Sequence, residues 1–481
     1  MNSVKANFVW NSAYQVVRIA IPLVTTPYLT RVLGSEPLGV YSYTYTLAMY
    51  FTYFVLLGLN QYGNREIAKA RGDRESLSRT FWSIYLGQAC VGAAVLLAYL
   101  AFALSQDGIM RACSVIWAIW VLAEVGDIGW LFYGLEEFRV MTIRNVLIRV
   151  GVVAAIFLLV KGPDDLWAYC ALQATSFALN SAVLWALARG RIGWCRVGAR
   201  EVAAHIRPSL VLFAPVIAIS CYTQLNKLIL GNLSDMSQVA FYDNADKVVT
   251  VPLTFIQSLG TVLLPRMSSV LAGGDRRRAE VYLSDSFWLS TVMSFALFFG
   301  ISGVSQDFVP LFFGDGFEAC ETLLPLLALI IPACAVSGVI GIQYLIPSER
   351  DSLYLRSVLA GAVANVSLCL VLVPSLAAAG AATATVVAEY VVAGVQLWYA
   401  RGRLPLPRYF REVLPFLAFG IVEFALIRAV RLSGLAGGVL LVAEIAVGTV
   451  SFAAMGLSYL AVRKDPRLRL LGLSRLVNTE R

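Results

Sequence analysis

Arg18 is the residue whose presence most needs explaining. It closes a stripe, Asn11, Tyr14, Gln15 and Arg18, inside an otherwise apolar stretch from about 8 to 30. The spacing i, i+3, i+4, i+7 puts all four on one helical face. A charge at the centre of a spanning helix costs about 2.5–3.5 kcal/mol on insertion scales, so it calls for a use. Ser220, Thr223, Gln224 and Lys227 repeat the spacing in a later apolar run. Two polar stripes, each ending in a cation, could face a central cavity. The plainer use is hydrogen bonding between helices, with the cation reaching to the interface.

The acids offer weaker chemistry. Glu124 and Asp127 lie three apart in the fourth apolar run, on one helical face, where a pair could relay protons or partner a cavity cation. Asp243, Asp246 and Lys247 open the eighth run, and Asp243 and Lys247 are placed to pair at i, i+4. Glu389, Glu423 and Glu444 are single acids in late runs, read as local packing or partners of Arg428. The one histidine, His205, falls in a basic loop. With no Cys-x-x-Cys or Cys-x-x-His and most cysteines inside apolar runs, no metal or cofactor is expected. No G-x-x-x-x-G-K-[ST] is present for ATP. Asp164-Asp165 sits in a loop too short for a sugar-transfer site, so the chain does not read as an enzyme.

The elements that must hold these residues follow from composition. Of 481 residues, 59% are hydrophobic and 14% charged, against about 25% charged in an ordinary soluble domain. A span takes about 20 apolar residues. Runs at roughly 8–30, 38–60, 81–104, 113–135, 146–160, 166–187, 209–231, 241–265, 284–306, 323–346, 353–374, 377–400, 412–430 and 437–462 predict an all-α integral membrane protein of about 14 transmembrane helices. The fifth run looks short, and the divide between the eleventh and twelfth is weak. An even count places both termini on one side. With that side cytoplasmic, 30 of the 38 Lys and Arg fall in inner segments and 5 in outer ones, as the positive-inside rule requires. The net charge of +8 is therefore loop charge, and no clustered basic domain exists for nucleic acid.

A repeat is visible. Arg65, Gly72-Asp73-Arg74 and Phe81-Trp82 follow the second run; Arg266, Gly274-Asp275-Arg276 and Phe287-Trp288 follow the eighth. Six helices separate the copies, so the halves share an orientation. This predicts two pseudo-symmetric six-helix lobes around a central cavity, 1–208 and 209–411, with helices 13–14 and a basic cytoplasmic tail in 412–481.

The motifs are familiar as a set. Pro27-Tyr28-Leu29-Thr30-Arg31-Val32-Leu33-Gly34, Gly39-Val40-Tyr41 and Tyr62-Gly63-Asn64-Arg65-Glu66-Ile67-Ala68 come first. Asp127-Ile128-Gly129-Trp130-Leu131-Phe132-Tyr133-Gly134, Phe241-Tyr242-Asp243-Asn244-Ala245-Asp246-Lys247 and Leu264-Pro265-Arg266-Met267-Ser268 follow. The chain resembles the bacterial polysaccharide or O-antigen flippases (Wzx type), in the superfamily that includes MATE exporters and lipid II flippases. The resemblance implies a flippase in the bacterial cytoplasmic membrane. It would move an undecaprenyl-diphosphate-linked oligosaccharide from the inner to the outer leaflet by alternating access, with the polysaccharide polymerase and chain-length regulator as further partners. Arg18, Lys227 and Lys247 would then neutralise the diphosphate, with Arg31 near the outer mouth and Asn11, Gln15 and Gln224 as polar contacts. Glu124, Asp127, Asp243 and Asp246 would serve ion coupling or charge pairing. Asn226 stands where relatives are expected to carry an acid. A MATE-type drug or cation antiporter is the alternative, disfavoured because the clearest mid-helix charge is a cation.

Overall fold

The computed structural model describes residues 20–273 and 275–469. Apart from two isolated bridges, the regular structure among them is helical. Nine of these segments are long and apolar enough to cross a membrane. The expectation of fourteen spans is finer than that and remains a proposal. Two compact units divide the chain, Met1–Ala240 and Phe241–Arg481. Lobes divided at 208 and 411 are defined by repeat, not compactness, and also remain a proposal.

The first unit holds α1 (20–33), α2 (Ser35–Leu56), α3 (Leu59–Ala70), α4 (Arg74–Ser105), α5 (Gly108–Val125), α6 (Gly129–Gly134), α7 (Phe138–Leu159), α8 (Leu166–Ala188), α9 (Ala199–Thr223) and α10 (Leu225–Leu233). Its core forms where α5 packs between α2, α4 and α8. Trp117, fully buried, donates from Nε1 to Thr44 Oγ1 at 3.1 Å, so an indole and a helix hydroxyl satisfy each other in an apolar setting. α11 (Met236–Ala272) leads into the second unit, with α12 (Arg276–Phe312), α13 (Cys320–Ala328), α14 (Ile330–Ser337), α15 (Asp351–Ala400), α16 (Leu406–Val430) and α17 (Gly437–Val462). There α12 packs on α16 and α17, and Phe287, Trp288 and Phe416 anchor the core.

Two sequence expectations change. The fifth run is not short: α7 has 22 residues, starts before the expected 146 and takes in Arg139 and Arg144 as well as Arg149. Arg144 reaches Asn145 Oδ1 and the Asn180 carbonyl, so its head finds acceptors beside the helix. The weak divide between the eleventh and twelfth runs is a sharp break within α15, at Ala377 (φ 47°, ψ −127°). Pro374 cannot donate to the helix there. The chain then folds back so tightly that a Cβ on Gly380 would lie 2.6 Å from the Leu372 carbonyl oxygen, which only glycine permits.

The repeated Gly-Asp-Arg sequence has a local cause. Asp73 accepts from the Ser76 amide at 2.8 Å and, more weakly, the Glu75 amide, capping α4. Asp275 accepts from the Arg278 amide at 3.0 Å at the start of α12. Each cap is followed by a fully buried phenylalanine, Phe81 or Phe287. A second repeat was legible but not read. Ala188-Arg189-Gly190-Arg191-Ile192 and Ala400-Arg401-Gly402-Arg403-Leu404 both make a bridge between the first arginine and the last residue, around glycines at φ 86° and 75°. Asp73→Ala removes a cap worth about 1 kcal/mol. Its unfolding midpoint in denaturing detergent is expected to fall accordingly, and an unchanged midpoint would show that the cap does not matter.

Candidate functional site

The fourth apolar run is not one helix. α5 stops at Val125 and α6 starts at Gly129, leaving Gly126, Asp127 and Ile128 between them. The two acids therefore do not share a helical face: Glu124 lies in the last turn of α5, and Asp127 lies in the break. An interrupted helix at membrane depth frees carbonyls that lipid cannot satisfy. Gln88 of α4 satisfies two of them, donating from Nε2 to the Asp127 oxygen at 2.8 Å and the Glu124 oxygen at 3.0 Å. Its Oε1 accepts from Trp130 Nε1 at 3.0 Å. Trp185 Nε1 donates to the Gly126 oxygen at 2.7 Å. The Asp127 carboxylate accepts the Gly129 amide at 2.8 Å, and Glu124 accepts Trp120 Nε1 at 3.2 Å. Gln88 was missed in the sequence, although a lone glutamine in an apolar run was its signal.

The stripe ending at Lys227 is broken as well. α9 ends at Thr223, Gln224 takes non-helical angles (φ −125°, ψ −24°), and α10 begins at Leu225. Tyr50 of α2 donates to the Ser220 carbonyl at 2.8 Å, catching an oxygen near the break. The break turns Asn226 and Lys227 inward: both are buried, Asn226 completely. Lys227 and Glu124 both lie within electrostatic range of the Tyr53 hydroxyl on α2. A buried cation, a carboxyl and a phenol from α10, α5 and α2 thus gather within the first unit, beside two interrupted helices.

The remaining candidates are dispersed. Arg31 is exposed, and its Nη1 donates to the Pro27 carbonyl of its own helix at 2.7 Å. In the second unit Lys247 Nζ lies 2.6 Å from Asp243 Oδ2, the acid buried and the ammonium half-exposed. Asp246 lies on α11 within electrostatic range of Glu389. Asn11, Gln15 and Arg18 lie outside the described residues.

His205 is not in a loop. It occupies the second turn of α9, with Nδ1 2.7 Å from the Tyr62 hydroxyl and Nε2 2.9 Å from Ser83 Oγ, joining α9 to α3 and α4. Beside it Arg79 makes two 2.8 Å bonds to Glu201, and these hold the Glu201 carboxyl down at about 2. Burial lowers the His205 pKa; Glu66 and Glu201 oppose it less strongly. The folded protein therefore takes up its imidazole proton later than the unfolded chain does as pH falls. The contribution of His205 to stability is complete above about 6.5 and is lost as pH falls from there through its lowered value. His205→Gln is expected to flatten the stability profile of the purified protein below that pH. An identical profile would show that the ring does not titrate differently on folding.

Among the described residues, long apolar helices interrupted around buried polar side chains are the build of a multi-pass membrane protein with a polar interior. The particular family follows from comparison. The profile described as "Polysaccharide biosynthesis protein" matches residues 4–271, more than half of the chain, and the protein belongs to that family. The matched stretch contains the motifs that carry the resemblance to polysaccharide flippases. A protein of Escherichia coli (strain K12) assigned as an O-antigen transporter is 22% identical over 404 residues, 83% of this chain and 97% of that one. One of Rhizobium meliloti (strain 1021) assigned as the lipid II flippase MurJ is 29% identical over 221 residues, 44% of this chain and 41% of the relative. Among solved structures, MurJ in an inward closed conformation aligns with TM-score 0.77 at 11% identity, over 94% of this chain and 99% of that one. An inward-facing multidrug MATE transporter aligns with TM-score 0.61 at 14% identity, over 81% and 97%. These last two likenesses speak to fold alone.

Proposed function

We propose that this protein is a flippase for undecaprenyl-diphosphate-linked oligosaccharides, carrying them from the cytoplasmic to the outer leaflet by alternating access, without chemical change to the cargo. The observation that carries this reading is Lys227, a buried cation held beside a broken helix within the membrane-embedded part. A diphosphate is dianionic, and a charge-assisted contact in low dielectric is among the stronger ones available to it. Arg18 is proposed to supply a second cation, with Asn11, Gln15 and Gln224 as polar contacts. Lys247, already paired with Asp243, and Arg31 are proposed to guide the headgroup on entry and exit. Glu124 and Asp127, which accept the Trp120 ring N–H and the Gly129 amide, are proposed as ion-coupling groups or as charge partners of a cavity cation. The O-antigen transporter and MurJ assignments of the relatives support the cargo class. The polymerase and chain-length regulator are proposed partners.

Deletion of the gene tests the reading: the lipid-linked oligosaccharide should accumulate on the cytoplasmic side, and normal export without the protein would refute it. Both termini and the 65–79 loop are proposed to face the cytoplasm. A cysteine placed at Asp315 should react with an impermeant maleimide from outside, and one at Gly72 should not. The reverse labelling would overturn the topology.

A further inference from the structure

Glu423 of α16 is 3% exposed and faces a cavity of about 520 Å³ in the second unit. The cavity is lined mainly by apolar side chains such as Val292, Ala296, Leu324, Ile427 and Phe452, with the hydroxyls of Ser305 and Thr449, neither of which is bonded to Glu423. Two glycines make room for the carboxyl. A Cβ on Gly300 of α12 would lie 3.3 Å from Glu423 Oε1, and one on Gly448 of α17 would lie 3.4 Å from it. Oε2 is buried and meets no hydrogen-bond partner. One turn along α17 from Gly448 stands Glu444, fully buried, with neither carboxyl oxygen meeting a protein N–H or hydroxyl. It lies against Asp307 of α12, which is paired with Arg431 Nε at 3.1 Å.

An ionised carboxylate with no donor in such a setting would bear a large desolvation cost. Charged groups on the elements that line the cavity include Asp307 on α12, Glu444 on α17, Arg428 on α16 with Arg431 just beyond it, Asp246 and Lys247 on α11 and Glu321 on α13. The cations among them are engaged elsewhere: Arg428 and Arg431 both bond Gln306, and Lys247 pairs with Asp243. None is bonded to Glu423. A carboxyl–carboxyl contact such as Glu444 with Asp307 needs one proton between them. The salt bridge from Arg431 falls on Asp307, which leaves Glu444 as the other carboxyl of that contact.

We propose that Glu423 is a proton-binding site of the second unit, with Glu444, one turn along α17 from the Gly448 that lies against Glu423, as a second station. The ligand is the proton: an O–H bond forms on Glu423 when the cavity is dry and breaks when water enters to solvate the carboxylate and accept the proton. A conformational change that hydrates the cavity therefore releases a proton. The use of that proton to drive transport rests on the flippase reading; the site does not.

The test uses the full-length protein in liposomes. Infrared difference spectra across a pH titration should show a protonated carboxyl C=O band at neutral pH that shifts in D2O. Glu423→Gln should remove part of it and Glu444→Gln another part, whereas Glu321→Gln should remove none. Wild-type protein lacking the band, or a band untouched by Glu423→Gln, would overturn the proposal. Flipping of a fluorescent polyprenyl-diphosphate probe supplies the second arm. An imposed pH gradient should change the wild-type rate severalfold and leave the Glu423→Gln rate unchanged. Equal dependence in both proteins would overturn the coupling. A wild type that flips no probe would overturn the flippase reading while the spectra still decide the site.

Discussion

Lys227→Ala is expected to reduce surface polysaccharide by at least about tenfold in cells whose only copy carries it, with the protein still present in the membrane. One hydrogen bond to a charged group is worth about 1.5–3 kcal/mol, and 1.4 kcal/mol is a factor of ten. Lys227→Arg should retain much of the output, because a guanidinium serves a diphosphate at least as well as an ammonium. A merely structural lysine predicts otherwise. If Lys227 only balances charge near Glu124 and Tyr53, then Lys227→Gln combined with Glu124→Gln should restore both protein level and output. If Lys227 binds cargo, the double variant should restore the level alone. Full output from Lys227→Ala at normal level would show that this residue does not carry the cargo. The same comparison applies to Arg18, where Arg18→Ala and Arg18→Glu should abolish output and Arg18→Lys should keep part of it.

Gln88→Leu should strongly destabilise the first unit. It conserves approximate volume but strands the Glu124 and Asp127 carbonyls and the Trp130 N–H. Each unsatisfied buried polar group costs about 1–3 kcal/mol, so a loss of roughly 3–6 kcal/mol is expected with partial relaxation. Thermal unfolding of the purified protein measures it. Gln88→Glu should do nearly as badly, because a carboxylate cannot donate to two carbonyls. A melting temperature within a degree or two of wild type would mean that water or rearrangement satisfies the break, and that Gln88 does not organise it.

These two residues mark where the sequence stops being readable. Apolar runs announce spans because lipid leaves few alternatives, and the Gly-Asp-Arg repeat announces helix starts because Asp caps are local. The breaks at Gly126–Ile128 and Gln224 are not local. The apolar pattern runs through both, and each is held by side chains from other helices: Gln88 and Trp185 at the first, Tyr50 at the second. The i, i+3, i+4, i+7 stripe ending at Lys227 assumed an unbroken helix, and so did the shared face of Glu124 and Asp127. Polar composition found the right residues, while their geometry depended on contacts far away in sequence. His205 was misplaced for the opposite reason: its basic, polar neighbourhood reads as loop, yet it lies in the first turns of a 25-residue helix whose apolar part starts later.

The compact units meet at Ala240–Phe241, five residues into α11. The Met236 carbonyl presses so closely on α2 that only glycine fits at position 39, where a Cβ would lie 1.7 Å from that oxygen. The opening turn of α11 is thus the closing piece of the first unit. During synthesis everything the first unit needs has left the ribosome once this turn emerges. At about 5–20 residues per second, the rest of the chain takes on the order of ten to fifty seconds more. For that interval the nascent protein is half a transporter with its own finished core. Its survival then depends on the membrane insertion machinery and on how long a single unit can persist in lipid before its counterpart arrives.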